Sequence, residues 1–449
     1  MRLRLQYCVT ILLISGFGAA AQPIGIAPGL TPTGAEQAGN AAGTIPSWTG
    51  GLPKSEHPIP FDQQLPDPFA GDQKLFSISA ENLETHRDHL SAFEQAMLAR
   101  YPNSYRLDVF PTRRSCSLPQ IAYDALAKNA QNAKLVNDGN GISGALLASP
   151  FPMPKNGLEV YWNHNLAYRA PEMTFKASGG TVYPNGHHTH VIREDLRLSY
   201  YHNPETPSFE ALDNVESQWR GIWSSPPRIS GAGFSMTNTI DQIAKPRNGF
   251  MYRPDTRRVM QAPPSAVSYD APLSSAEGTR NSDNIFLVNG APDRFEWKLI
   301  GKREMYIPYN VYKPGAEGYK VADLATPYHV NPDLIRYELH RVWVVETTLK
   351  PGFAHPNPRR VFYFDEDSWI AVGSDLYNAA GELVGGQVGY VKNEYTLPAC
   401  EQEFDVIYTF ESERYNLDNV KLDFGRTNTD AKIQETDFGS AALRRSITR

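Results

Sequence analysis

The sequence predicts an α+β protein in which helices near the N-terminus are followed by one large antiparallel sheet. Short runs rich in β-branched and aromatic residues begin near residue 158, and glycine, proline, asparagine and aspartate separate them. No helix-sized pattern lies between successive runs, which argues against a parallel sheet built from βαβ units. The apolar residues with helical spacing lie before these runs.

Residues 1–21 have the features of a secretory signal peptide. Arg2 and Arg4 form a basic segment, residues 9–17 form an apolar core, and small residues lead to a predicted cleavage after Ala21. The core is shorter than the ~20 residues that a membrane-spanning helix needs. Cys8 precedes the core instead of following a cleavage site, so lipid anchoring is not indicated. We therefore expect a diffusible periplasmic protein.

The composition limits the partners of the mature chain. The formal net charge is −6, and it becomes more negative once Arg2 and Arg4 are removed. An acidic chain is a poor match for a nucleic acid, so we expect no nucleic-acid partner. No later stretch is apolar enough to predict a transmembrane helix.

Residues 22–75 predict an extended N-terminal arm, because proline, glycine, alanine and asparagine dominate and periodic apolar positions are few. We interpret Trp48 as the anchor that pins this arm to the body, with stacking on a ligand as the alternative. Two helices are predicted after the arm. The first covers 79–101, where Ser79 can cap it and a proline follows, and the second covers 118–133.

Residues 76–425 are predicted to form a single α+β domain. Apolar and polar residues alternate clearly in 341–346 and 360–365, as expected of strands with one buried face. The predicted strands cover residues 158–168, 181–201, 249–261, 295–306, 336–349, 360–365 and 369–377. The polar segment 426–449 is predicted to be a flexible tail.

Two cysteines, Cys116 and Cys400, remain after removal of the signal peptide. In an oxidising compartment an even number of cysteines favours a disulfide. A free reactive thiol is the alternative, since sequence does not show whether the two residues approach each other.

The histidines at 187–190, together with His202, form the candidate metal site. His188 and His190 would share one face of a strand, a spacing that allows two imidazoles to bind one metal ion. The third ligand would be His202 or His164. The competing interpretation is that these side chains are solvent-exposed, because Asn185-Gly186 is a strong hairpin-turn signal.

Asp365, Glu366 and Asp367 form a carboxylate cluster between two predicted strands. Such a cluster suits acid/base chemistry, although a plain turn between strands explains it equally simply. Nucleophile elbows, phosphate loops, dinucleotide fingerprints and zincin helices are absent from the sequence, so we expect no cofactor and a protein that is not an enzyme.

Several tryptophans fall in the part of the chain predicted to form the sheet, among them Trp219, Trp223, Trp297 and Trp343. A curved sheet covered by helices either packs such side chains into a filled core or leaves an apolar cavity between the layers. Apolar cavities of this kind are common small-molecule sites. Periodicity does not distinguish the two cases.

Five segments are similar to a secreted proteobacterial family of unknown function, DUF1329. They are residues 43–51, 105–115, 161–164, 293–302 and 304–310. A looser likeness covers the strands, where three segments resemble elements of outer-membrane lipoprotein-sorting proteins of the LolA/LolB type. The first is 252–259, the second combines 343–346 with 360–369, and the third combines 375–377 with 381–383.

The second likeness implies a half-open antiparallel barrel wrapped around a helix, with an apolar cavity for acyl chains. It also implies a periplasmic carrier of a lipid or other hydrophobic ligand, acting beside a lipid exporter of the resistance–nodulation–division type. The DUF1329 resemblance supplies no catalytic residues. Two alternatives stay open: a metal-dependent periplasmic hydrolase using the histidines at 187–190, and an envelope scaffold with a filled core and no ligand.

Overall fold

The computed structural model describes residues 25–447. The predicted signal peptide and its cleavage point at Ala21 lie outside the described residues. None of the helices within residues 25–447 is both long and apolar enough to cross a membrane.

Short elements make up the N-terminal part of the fold. Apart from isolated bridges, residues 25–75 form no strand or helix and run over the surface of the body. The elements that follow are β1 (Phe76–Ile78), α1 (Leu83–His86), α2 (Ala92–Arg100), β2 (Leu107–Val109), α3 (Gln120–Asn132), β3 (Lys134–Val136), β4 (Gly141–Ser143) and α4 (Gly157–Asn165).

Thirteen long strands follow in two antiparallel meanders that share one sheet. The first meander contains β5 (Glu172–Val182), β6 (Val191–Ser199), β7 (Val215–Ser225), β8 (Gly233–Thr239), β9 (Asn248–Arg253) and β10 (Arg258–Ala262). After α5 (Pro264–Ser268), the second contains β11 (Phe295–Pro308), β12 (Tyr337–Leu349), β13 (Arg359–Asp365), β14 (Ala371–Tyr377), β15 (Leu383–Asn393), β16 (Cys400–Thr409) and β17 (Arg414–Val420). Three short helices complete the chain: α6 (Lys313–Ala316), α7 (Val321–Leu324) and α8 (Gly439–Ile447).

The two meanders join where β17 pairs with β5, and the sheet remains open at its other ends. Strand β10 forms one edge. Strand β11 pairs only with β12 among the described strands, and β2 meets β12 through a single parallel pair. The predicted α+β class with a large antiparallel sheet is therefore confirmed.

The helices bury apolar side chains on this sheet. Phe93 of α2 stacks on the Phe410 ring at 5.9 Å and lies against Tyr408 of β16. Helix α4 packs on β11 and β12, and a Cβ on its first residue, Gly157, would lie 2.9 Å from Val345 Cγ1. Only glycine permits so close an approach of helix to sheet.

Three local predictions differ from the structure. Residues 158–168 were expected to be a strand but contain α4, because the Asn156 side chain caps the helix by accepting a bond from Glu159 N at 3.0 Å. The segment 79–101 is divided into α1, a 3₁₀ turn and α2, since Ser91 starts a new helix with a capping box. The polar tail contains α8, in which Ala442 and Leu443 are buried.

The arm is held to the body at several points. The buried Trp48 ring donates from Nε1 to Cys116 O at 3.3 Å. Cys116 forms a disulfide with Cys400, and their Cα atoms are 5.6 Å apart. Glu36 pairs with Lys302 of β11 at 3.1 Å. The disulfide and the Trp48 contact thus meet at one place and tie the arm to strand β16.

Candidate ligand-binding site

The connection between the two meanders, residues 263–294, covers one face of the sheet. It leaves the edge strand β10 and returns at β11, which lies on the other side of the β17–β5 junction. The segment carries α5 and two 3₁₀ turns. We call it the crossover segment, and we call the sheet face beneath it the inner face.

The crossover segment and the inner face enclose an apolar cavity, here called the tryptophan cavity. Its empty volume is about 920 Å³, including space open to solvent. The strand register places the sheet residues that line the cavity on one face of the sheet. Trp219 lies opposite Met236, and Phe234 lies opposite Met251. The crossover segment contributes Ala266, Val267, Leu273, Ala276 and Ile285.

A glycine between two tryptophans shapes the floor of this cavity. Trp219 and Trp223 lie on the same face of β7 with Gly221 between them. A Cβ at Gly221 would lie 2.4 Å from the Phe234 ring and 2.6 Å from Asp195 Oδ1. Glycine therefore allows the phenylalanine ring of β8 to lie over β7.

The charged groups at the cavity are paired with one another. Arg193 binds Asp195 at 2.6 Å, and Asp195 also accepts a bond from Trp219 Nε1 at 2.9 Å. Arg280 is buried against Asp405, whose pKa is raised to about 6 mainly by burial. Because these charges are paired within the protein, the wall facing a ligand is mainly apolar, and Trp223 Nε1 is a buried donor in it without a partner among the described residues.

Two methionines mark the open edge of the inner face. Met251 of β9 and Met260 of β10 lie directly opposite each other and are 38% and 43% exposed. Met251 also lines the tryptophan cavity. Flexible methionine side chains adapt to ligands of varied shape, so this edge is suited to serve as an entrance.

A second cavity adjoins the first and contains an arginine, so we call it the arginine cavity. Its empty volume is about 950 Å³, including space open to solvent. Met173, Phe175, Phe286 and Arg169 are among its lining residues. Trp219 lines both cavities, and its ring centroid lies 6.4 Å from that of Phe286. The two rings form the partition between the cavities.

The structure brings two of the three candidate metal ligands together. The rings of His188 and His190 are 5.6 Å apart between centroids. His188 Nε2 lies 3.0 Å from Gly179 O, and burial lowers the pKa of His188 to about 4.

His202 lies beyond the opposite end of β6, which spans roughly 30 Å at about 3.3 Å per residue. It is buried, with its Nδ1 atom 2.8 Å from Ser199 Oγ. The separation follows from the length of the strand between the histidines. The proposed ligand set of His188, His190 and His202 therefore does not meet at one point.

A different cluster contains the acidic residues that the sequence analysis assigned to a turn or to acid/base chemistry. Asp365 ends β13 and Glu366 and Asp367 begin the turn after it, but all three are buried, and Asp365 lies 3.8 Å from His340 Nδ1. His340, Asp365 and Asp367 form the one group within residues 25–447 whose ligand atoms approach closely enough to share an ion. Sequence reasoning missed His340, since it comes from the neighbouring strand β12.

Internal ion pairs occupy this cluster. Both carboxylate oxygens of Asp367 accept bonds from Arg114, at 2.6 and 2.9 Å. Burial, reinforced by Asp367, raises the pKa of Asp365 to about 6. Burial opposes protonation of His340, but its bond to Glu338 and the negative charges of Glu338, Asp365 and Asp367 together outweigh this and raise the pKa of His340. The cluster acts as a structural network, and Glu366 extends it to the arm through Lys302.

Comparison with known proteins identifies relatives. A family model described as a protein of unknown function (DUF1329) matches residues 77–444. An uncharacterized protein of Pseudomonas aeruginosa is 38% identical over 431 residues, which cover 94% of this chain and 92% of that protein.

Two solved structures show a distant similarity. A DUF1329 family protein from Desulfovibrio piger has a TM-score of 0.40 and 11% identity, covering 61% of this chain and 92% of that one. A LolA superfamily protein from Nitrosomonas europaea has a TM-score of 0.36 and 9% identity, covering 64% and 99%.

Proposed function

The chain belongs to the DUF1329 family, and we propose that it is a periplasmic carrier that binds a lipid or other hydrophobic molecule in the tryptophan cavity. The observation that carries this proposal is the cavity itself, enclosed between the inner face and the crossover segment. Apolar clefts of this kind, lined by aromatic and aliphatic side chains, are the usual sites for small hydrophobic molecules.

The affinity in this proposal comes from removing apolar surface from water. Each buried methylene of an acyl chain contributes about 0.8 kcal/mol. Because Arg193, Asp195 and Arg280 already have partners, an apolar chain entering the cavity leaves no charge newly unpaired. The exchange of a ligand at the Met251–Met260 edge requires no bond to be made or broken.

The cellular setting is part of the same proposal. The signal-peptide features of residues 1–21 support export to the periplasm. The resemblance of the strands to lipoprotein-sorting proteins suggests a lipid exporter of the resistance–nodulation–division type as a partner. Crosslinking in intact cells followed by identification of the attached membrane protein tests that partner separately from ligand binding.

The carrier proposal is tested with protein purified without detergent. Native mass spectrometry is expected to show a co-purifying hydrophobic molecule, and a fluorescent fatty acid is expected to bind and quench tryptophan emission. Absence of both signals would overturn the proposal.

A cavity-filling variant identifies the site. Ala266 is half-buried in the cavity wall, so Ala266→Trp is expected to weaken fatty-acid binding by about tenfold or more, equivalent to about 1.4 kcal/mol. Ala244→Trp makes the same change at an exposed position outside both cavities and should leave binding unchanged. Equal affinities of the two variants would place the ligand elsewhere.

A further inference from the structure

Arg169 is a cation without an ion-pair partner in the arginine cavity. It lies just after helix α4, where its Nη1 donates to Asn165 O at 2.9 Å. Its guanidinium carbon is 5.9 Å from the centroid of the Phe286 ring. Across the described chain, no carboxylate lies within ion-pairing distance of Arg169.

The other charged groups of this cavity have partners. Arg197 pairs with Glu216 at 2.6 Å, Lys421 with Glu403 at 3.0 Å, and Glu394 with Arg426 at 3.1 Å. Arg169 is therefore the charged lining residue that lacks an ion pair within the described residues, and Glu216 and Glu401 act on it only at longer range. Burial and the nearby Arg197 lower the pKa of Arg169 to about 10, so it stays charged at neutral pH at a cost in desolvation.

Further polar atoms in the cavity lack partners within the described part of the chain. Arg197 Nε is a buried donor with none, and Glu394 Oε2 and Gln402 Oε1 are buried acceptors with none. Buried polar atoms are nearly always hydrogen-bonded, so these atoms suit a polar group that carries hydroxyls. The arginine cavity thus differs in chemistry from the apolar tryptophan cavity.

The two cavities follow each other along one strand. Arg197 of β6 lines the arginine cavity, whereas Arg193 and Val191 line the tryptophan cavity. The distance from Arg197 to Val191 is about 20 Å for an extended strand. In the crossover segment, Phe286 faces one cavity and its neighbour Ile285 faces the other.

We propose that the arginine cavity binds an anionic head group, a carboxylate or phosphate, of the same amphiphile whose apolar tail lies in the tryptophan cavity. Arg169 binds the anion directly and Arg197 Nε supplies a second donor. The partition formed by Trp219 and Phe286 marks the junction of head and tail. This inference rests on the proposed carrier function and specifies its ligand class.

The test compares ligands that share one tail and differ in head group. Hexadecanoate, hexadecyl phosphate, hexadecanol and hexadecylamine are titrated below their micellar concentrations. The two anions are expected to bind wild-type protein at least about tenfold more tightly than hexadecanol, as for a charge-assisted hydrogen bond. Hexadecylamine should bind more weakly than hexadecanol because Arg169 repels it.

Variants assign this preference to Arg169. Arg169→Gln should reduce the preference for anions over hexadecanol to less than about threefold, while Arg169→Lys keeps much of it. Arg280→Gln, at a buried arginine paired with Asp405, is the structural control and should lower the melting temperature. Arg169→Gln should not lower it, since it removes a half-buried charge that has no ion-pair partner within residues 25–447.

The outcomes separate the inference from the function on which it rests. If none of the four ligands binds, the carrier function fails. If all bind with equal affinity, or if Arg169→Gln keeps the full preference, the carrier function stands and the head-group inference fails. Inorganic phosphate binding that hexadecanoate does not displace would assign Arg169 to a free anion and would also overturn the inference.

Discussion

His164 shows how the fold holds an ionisable residue neutral beside the arginine cavity. Its Nδ1 accepts a bond from Ala371 N, and its Nε2 lies 3.1 Å from Phe286 O. Burial lowers the pKa of His164 to about 3. Both ring nitrogens are thus used by the neutral form, and one of them positions the backbone of Phe286.

This histidine predicts a pH dependence of stability. Between pH 6.5 and 3 the unfolded chain binds a proton that folded His164 does not, so the free energy of unfolding falls as pH is lowered. Lowering the pH from 6 to 5 should cost about 1 kcal/mol from this residue alone. In urea unfolding of His164→Gln, the loss between pH 6 and 5 should be smaller by that amount. An unchanged loss would contradict the assignment.

At the scale of single residues, compartment and cysteine number were enough to predict the disulfide between Cys116 and Cys400. The spacing of His188 and His190 predicted neighbouring rings, but both residues lie in the turn before β6 and not on a strand face, and their role as metal ligands stays a prediction. Arg169 was missed because nothing in the sequence separates it from a surface arginine. Its guanidinium becomes partly buried without an ion-pair partner only when α4 and the crossover segment enclose it.

Helix α8 is a short element that packs on the face of the sheet opposite the tryptophan cavity. It packs on β8 and β9, and a Cβ on Gly233 of β8 would lie 3.0 Å from Leu443 Cδ1. Since Phe234 and Met236 line the tryptophan cavity, the alternating neighbours Gly233 and Ser235 face α8. Gly439 N donates to Ser235 Oγ at 2.8 Å, which fixes the start of the helix.

Truncation of the buried leucine in α8 is therefore expected to be costly. Leu443 is fully buried, so Leu443→Ala should lower the free energy of unfolding by about 2–3 kcal/mol through lost contact and a residual cavity. Ala441→Ser, at an exposed position of the same helix, should change it by less than about 0.5 kcal/mol. Denaturant titration measures both. If both substitutions had equally small effects, helix α8 would contribute little to the free energy of unfolding.

At the scale of elements, alternation predicted β11 to β14 of the second meander, whereas β15, β16 and β17 were not among the predicted strands. It failed for α4, where buried Val160, Tyr161 and Trp162 are adjacent in sequence, because a helix covered on several sides has the same apolar density as a strand. It also failed for α8, whose few apolar residues gave no recognisable period. In both cases tertiary burial decided the outcome.

On the scale of the whole molecule, the disulfide links the part of the chain before the long strands to β16, a strand in the interior of the sheet. Cys116 and Cys400 are separated by 284 positions in sequence. The chain-entropy model assigns about 5 kcal/mol of stabilisation to closing so long a loop. Cys400 also lines the arginine cavity, so the link holds that wall in place.

Removal of the disulfide should accordingly reduce stability without removing the fold. The double variant Cys116→Ser, Cys400→Ser is expected to lose about 2–5 kcal/mol in urea unfolding. The wild type in reducing buffer should match it, and reduction should have no effect on the double variant. A double variant as stable as the oxidised wild type would contradict this expectation.

The β17–β5 junction has a consequence for the order in which the protein assembles. Tyr415 lies opposite Val182, and residues of β17 line both cavities. Contacts between segments so distant in sequence carry a loop-closure cost that must be met before they stabilise the chain, which makes folding slow. The binding space is therefore among the last parts to form. Until β17 pairs with β5, the tryptophan-rich inner face of the first meander is not covered by its neighbouring strand. A partly folded chain at this stage is therefore most prone to aggregate.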